Sequence, residues 1–252
     1  MDNKPAYLIV GKGRWGPRMY MMLEGEGRRA SFATNTRRAI GESDLVYESR
    51  MAESFKAGGA HIAWLCVPPG PHVPPMTRAA ISAGLHVIVE KPWIYSREET
   101  SALLHAAHGA QLVTGVDFEY CLLSDVENWR REYHERNDLS FSGAFTIGAG
   151  DHLGISAREN LGSHLLAIHE YAVPDSKISS IQCSYQAPTQ RRVWLKTAKE
   201  SIAEIDFLGS PEPIIQRFLS RFENSLEGTA FQFDFNFALR VKEKLAGLRT
   251  DS

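Results

Sequence analysis

Gly11, Gly13 and Gly16 stand in the run G-K-G-R-W-G, with an apolar stretch from Ala6 to Val10 before it and a helix-compatible stretch from Pro17 to Leu23 after it. A chain that leaves a strand, turns on glycine and enters a helix points the first N–H groups of that helix at whatever occupies the turn, and those groups, with the helix dipole, suit an anion. The three glycines have separate tasks in such a turn: the tight bend, the close approach of backbone to phosphate, and the contact of helix with strand. The chemistry expected here is the holding of a dinucleotide pyrophosphate, with the bulky Arg14 and Trp15 lining the ligand. About twenty residues further on, where an acid would bind a ribose 2′-hydroxyl, the chain reads Thr34, Asn35, Thr36, Arg37, Arg38. Hydroxyl, amide and guanidinium groups without a carboxylate suit a 2′-phosphate, so Asn35, Thr36, Arg37 and Arg38 are expected to favour NADP over NAD.

Other chemistries find less support. His164 and His169 are five residues apart without an acid at ligand spacing, which argues against a metal site. Cys66, Cys121 and Cys183 are far apart and form no CxxC pair, so neither a disulfide framework nor a zinc knuckle is expected, and a reducing cytoplasm fits best. A net charge of -2 supplies no field to gather nucleic acid or an anionic membrane surface. No apolar run approaches the roughly 18 residues of a membrane span.

The glycine turn needs a sheet to stand on, and the pattern supplies one. Apolar runs at 6–10, 29–34, 61–67, 85–89 and 112–118 alternate with helical stretches at 17–23, 75–83 and 98–108, which predicts parallel strands with right-handed crossovers in a doubly wound Rossmann sheet. The pattern then changes. Strands are expected at 141–148, 178–186, 192–197 and 201–208, a helix at 159–171 and a basic-ended helix at 235–245, giving a smaller α+β domain with a largely antiparallel sheet. The expected division is 1–118 for the dinucleotide and 119–252 for substrate and oligomerisation.

The segment from Trp64 to Trp93 contains P-P-x-x-H, A-G-x-H-V and E-K-P in order, and there the chain closely resembles the Gfo/Idh/MocA family of NAD(P)-dependent oxidoreductases. The resemblance spans about residues 6–120 and returns at 218–245, where it suggests the family's last strand and helix. It implies that Val67, Pro68, His72, Glu90 and Lys91 adjoin the cofactor and that Lys91 is a catalytic or orienting cation, with Trp93 near the substrate. An ammonium in a partly desolvated cleft can polarise a carbonyl or imine and share a proton with it. The family's second signature, D-x-G-x-H-x-x-D, corresponds to Asn160 through Ala167; Gly162 and His164 remain while both acids are gone. His164 is the expected proton-exchanging group, with His169, His152 and Asp151 in reserve, and Tyr120 falls where the family often has an aromatic near the substrate. Cys121 replaces an arginine frequent beside it. The expected function is NADP-dependent hydride transfer to or from a small carbonyl, imine or hydroxyl compound. The alternative is a dinucleotide-binding sensor or accessory subunit without turnover. A homo-oligomer through the C-terminal sheet is implied, with less face available because the second domain is short.

Overall fold

Tyr7–Val10 (β1) is buried along its whole length, as a strand covered on both faces must be. The computed structural model describes residues 4–148, 154–208 and 213–248. Trp15–Gly25 (α1), Ala30–Phe32 (β2), Asp44–Ala57 (α2), Ile62–Leu65 (β3), Val73–Ser82 (α3), His86–Val89 (β4), Arg97–Gly109 (α4) and Thr114–Val116 (β5) follow in turn. The strands form a parallel sheet in the order β2-β1-β3-β4-β5. The chain moves outward from β1 to β2, then crosses β1 and builds in the other direction. With right-handed crossovers, that reversal puts α1 on one face and α2, α3 and α4 on the other, and α2 packs on α3 and α3 on α4.

The second unit begins with a 3-10 turn at Glu119–Leu122 and continues through Ser124–Tyr133 (α5), Ser140–Thr146 (β6), Ala157–Ala172 (α6), Lys177–Ser184 (β7), Gln190–Lys196 (β8) and Ser201–Asp206 (β9). Its sheet runs β7-β6-β8-β9; β6 is parallel to β7, and the β6/β8 and β8/β9 pairs are antiparallel. Ser156 caps α6 through a reciprocal box with Glu159, and the helix lays its buried face on the sheet. Gly143 marks the contact: a side chain there would strike Leu165.

Packing groups residues 1–117 with 221–239, and 118–220 with 240–252. The sequence reading kept 119–252 in one piece and did not foresee the return of 221–239. Nor is the segment from 218 onward a strand and a helix. It is Ile214–Ser225 (α7), a connecting segment, and Phe235–Gly247 (α8). Phe222 and Phe231 close on Gly115 of β5, within 3.0 Å of where a Cβ would be. The Val116 N–H donates to Phe233 O at 2.8 Å. The return is pinned by Glu223, which accepts from Tyr7 Oη at 2.6 Å and from Arg28 Nε and Nη2 at 2.8 and 2.9 Å.

Candidate functional site

In the first unit, the turns after β1, β3, β4 and β5 all leave the same edge of the sheet because the strands are parallel. At the first turn the three glycines divide the work as their spacing suggests. Gly11 has φ +115°, and a Cβ there would run into the Cys66 carbonyl oxygen. A Cβ on Gly16 would strike the Gly11 carbonyl, so the helix can sit that close only because residue 16 has no side chain. Gly13 differs: nothing lies within 4 Å of its would-be Cβ. The chain is thus open where a phosphate would approach and closed on the two sides that shape the turn. Arg14, at the N-cap of α1, makes no side-chain capping bond, and no acid stands in the first helical turn, so the dipole and N–H groups meet no built-in anion. Trp15 Nε1 is buried without a hydrogen-bond partner among the described residues, and the Arg18 guanidinium lies 5.3 Å from its ring centre. A buried indole donor is normally satisfied; a bound ligand would satisfy this one. These features fit a dinucleotide pyrophosphate.

The loop after β2 is more constructed than the sequence suggested. Arg50, reaching from α2, donates to both carboxylate oxygens of Glu42 at 2.9 Å, to Arg37 O at 2.9 Å and to Asn35 O. Tyr47 Oη donates to Thr36 O at 2.7 Å. The Arg50 hydrogen bonds, then the Ala39 amide, hold the Glu42 carboxyl down at about 2, so it stays ionised. Asn35 has φ +54°, a left-handed conformation that asparagine tolerates. The two arginines read together in the sequence part company. Arg38 is spent on the fold, paired with Asp44 at 2.6 Å and donating to Glu42 O at 2.6 and 2.9 Å. Arg37 is exposed, and its guanidinium has no partner among the described residues. Arg50, Glu42 and Tyr47 were missed because their roles depend on how the loop folds back.

Val67, Pro68 and His72 lie in the loop joining β3 to α3, beside Gly11: Val67 Cγ1 is 3.0 Å from the Cβ that Gly11 lacks. Burial lowers the His72 pKa more than its hydrogen bond to the Pro68 backbone raises it, so the ring is neutral near pH 7. Burial, then the charges of Glu90 and Asp117, push the Cys66 thiol far up, which makes it an inert packing group. Glu90, at the end of β4, accepts from Trp64 Nε1 at 3.0 Å. Lys91 follows, half-buried, and its bond to Pro92 is cis. Trp93 does not face a ligand as expected. It is core, tilted on Tyr95 at 4.1 Å and Phe235 at 4.5 Å, with its Nε1 donating to Thr100 at 3.1 Å. Asp117, only 1% exposed at the end of β5, was not singled out; a charged residue closing an apolar strand was the available signal.

In the second unit the structure brings Tyr120 and His164 together, ring centres 4.7 Å apart and edge to face, with Phe145 and Phe207 at 5.8 and 5.5 Å from Tyr120. Arg191 of β8 donates to Tyr120 Oη, and sequence reasoning did not single it out. Where the second signature has acids, Asn160 donates to Tyr185 Oη at 3.1 Å, and Ala167 is 1% exposed against the core. Gly162 admits Leu245 and Cys183 close to the helix. His169 is a packing residue: its ring bonds Ser176 O at 2.9 Å and Lys244 Nζ at 3.1 Å, and burial with the Lys244 charge lowers its pKa to about 4. Asp151 and His152 lie outside the described residues. Among the described residues no group of three His, Cys, Asp or Glu could hold a metal, and no helix is long and apolar enough to cross a membrane.

Residues 7–118 match the family described as the oxidoreductase family with NAD-binding Rossmann fold. No curated protein matches the chain. Among solved structures it is similar to UDP-N-acetylglucosamine 3-dehydrogenase GnnA from Acidithiobacillus ferrooxidans, with TM-score 0.75, 14% identity, and 98% of this chain and 97% of that one covered. It is also similar to the WlbA (WbpB) dehydrogenase from Thermus thermophilus in complex with NAD and UDP-GlcNAcA, with TM-score 0.72 and 14% identity over 98% and 95% of the two chains. GenD2 from gentamicin A biosynthesis, in complex with NAD, gives TM-score 0.72 at 15% identity over 98% and 93%. At such identities these likenesses establish the fold alone, and the match over 7–118 concerns that segment. Over residues 7–118, somewhat under half of its length, this chain is similar to the NAD-binding Rossmann fold of the Gfo/Idh/MocA oxidoreductase family.

Proposed function

We propose that the chain catalyses hydride transfer between NADP and a small carbonyl, imine or hydroxyl compound. A nicotinamide dinucleotide, when bound, would supply the hydride chemistry. Gly11, Gly13 and Gly16 with the start of α1 hold the pyrophosphate, and Val67, Pro68, His72 and Glu90 line the same sheet edge. Lys91, half-buried on that edge, polarises the acceptor oxygen or nitrogen by placing an ammonium where negative charge develops. His164 exchanges the proton, and Tyr120 orients the substrate. The observation that carries the reading is the open glycine turn sharing one sheet edge with Lys91. The neighbours named above support a redox role, since two are dehydrogenases by name and one is titled with NAD and UDP-GlcNAcA bound. A sensor without turnover is the second reading, favoured by Asn160 and Ala167 at the places of the signature acids.

The NADP preference rests on Arg37, the exposed guanidinium with no partner among the described residues, and on Glu42 and Asp44 being engaged by Arg50 and Arg38. Arg37→Ala is expected to weaken NADPH by about 1.5–3 kcal/mol, one charge-assisted contact, with NADH changing by less than twofold. Arg38→Ala is expected to do less, because its guanidinium is already paired. Fluorescence titration of both cofactors measures this. Equal weakening of NADPH and NADH, or tighter binding of NADH by the unaltered protein, removes the NADP assignment.

A further inference from the structure

Along β8, alternation places Arg191, Val193 and Leu195 on the face that α6 covers. Val193 and Leu195 are fully buried, Val193 opposite Gly143 and Leu195 opposite Phe141. Arg191 continues that row opposite Phe145, and its carbonyl accepts from the Phe207 N–H at 2.8 Å. A half-buried cation therefore stands among Tyr120, Phe145 and Phe207, where the pattern calls for an apolar residue. A guanidinium carries five N–H donors, and withdrawing it from water without acceptors is costly. Among the described residues Arg191 has a hydrogen bond to Tyr120 Oη and lies 5.8 Å from that ring's centre, but it has no carboxylate partner. The contrast is the next residue: Arg192, on the opposite face, pairs with Asp206 at 2.9 Å and Glu204 at 3.6 Å.

We infer that Arg191 binds a carboxylate of the substrate, so the compound reduced or oxidised is an oxo or hydroxy acid. This rests on the reading that Tyr120 and His164 serve the substrate. The planar fork matches a carboxylate through two parallel hydrogen bonds. By donating to the Tyr120 oxygen, Arg191 also ties anion binding to the position of that ring.

Saturation-transfer NMR with pyruvate, 2-oxoglutarate and glucuronate, each beside its methyl ester, tests the inference with and without NADPH. At least one acid is expected to bind the unaltered protein ten times or more tightly than its ester, and Arg191→Gln is expected to abolish that difference while NADPH affinity stays unchanged. Arg192→Gln is expected to leave acid binding intact. Acids and esters binding alike, no acid binding at all, or Arg191→Gln binding acids as the unaltered protein does would overturn the inference. The comparison of acid with ester needs no variant, so a misfolded Arg191→Gln protein does not rescue it. NADPH titration of the same samples separates the readings: failed acid binding with intact NADPH binding removes this inference alone, and the converse removes the dinucleotide reading alone.

Discussion

The Lys91→Ala protein is expected to turn over its substrate slower by on the order of 10² to 10³, with NADPH affinity changed by no more than a few-fold. One preorganised donor aimed at developing charge is worth about 3 to 4 kcal/mol in a transition state, and far less in the ground state, where the acceptor is neutral. The loss should therefore fall on kcat rather than on cofactor binding. Lys91 sits after β4, half-buried, beside Glu90, whose carboxylate accepts from the core residue Trp64. That anchoring limits how far the segment carrying Lys91 can drift. Steady-state kinetics with an acid found by the binding screen provides the measurement. Full kcat in Lys91→Ala would assign the proton and polarising roles elsewhere, with His164 and Tyr120 the next candidates. Absence of any NADPH oxidation across the acids and across uncharged carbonyl compounds would leave the sensor reading.

Glu223→Ala is expected to cost about 3–5 kcal/mol of stability, since removing one partner of a buried ion pair strands the other. Three groups converge on this carboxylate: the Tyr7 hydroxyl and two nitrogens of Arg28, whose side chain is 7% exposed against 16% for Glu223. Burial and the Glu223 charge both raise the Tyr7 pKa, so the phenol remains a donor and is left without its acceptor in the variant. Arg28 retains Glu26 as a partner, which limits the damage. For a chain of this size the loss is roughly 10 °C in Tm. Urea or thermal unfolding followed by circular dichroism checks it, with Glu223→Gln expected to lose less because it keeps one acceptor oxygen. A change below about 1 kcal/mol would show that the clip is no more than a surface pair and that the phenylalanine contacts alone hold residues 221–239.

What the sequence made legible were features whose cause is local. The glycine turn could be read from its spacing; Gly16 answers a local steric demand at the Gly11 carbonyl, whereas the partner of Gly11 is the distant Cys66 carbonyl and Gly13 meets no protein atom within 4 Å. Helix α2 escaped notice. Its core stripe, Tyr47, Met51 and Phe55, is regular, but the exposed Leu45 and Val46 blur the period at its start. The arginine pair at 37–38 looked like one basic cluster, and only the folded loop shows that the guanidiniums of Arg38 and Arg50 bind the protein while that of Arg37 has no partner among the described residues. Arg191 and Arg192 were hidden for a related reason, since adjacent residues on a strand face opposite ways and only the sheet register tells which is buried. Trp93 was misread because an aromatic beside a candidate site lysine can pack inward as readily as line a site. The return of 221–239 depends on Glu223 meeting Tyr7 and Arg28 far along the chain, a contact without local signature.

The central claim, that the Gly11–Gly16 turn holds a dinucleotide, is tested most directly at Gly13. A Cβ there meets nothing within 4 Å in the protein, and the residue's φ is not positive, so Gly13→Ala should fold with Tm unchanged or slightly raised. If the open space belongs to a pyrophosphate, the added methyl intrudes on it. Calorimetric titration with NADPH and NADH is then expected to show binding to the unaltered protein and at least tenfold weaker binding of both cofactors to Gly13→Ala at equal stability. Equal affinity of the two proteins, or no binding of either dinucleotide to the unaltered one, would contradict the account.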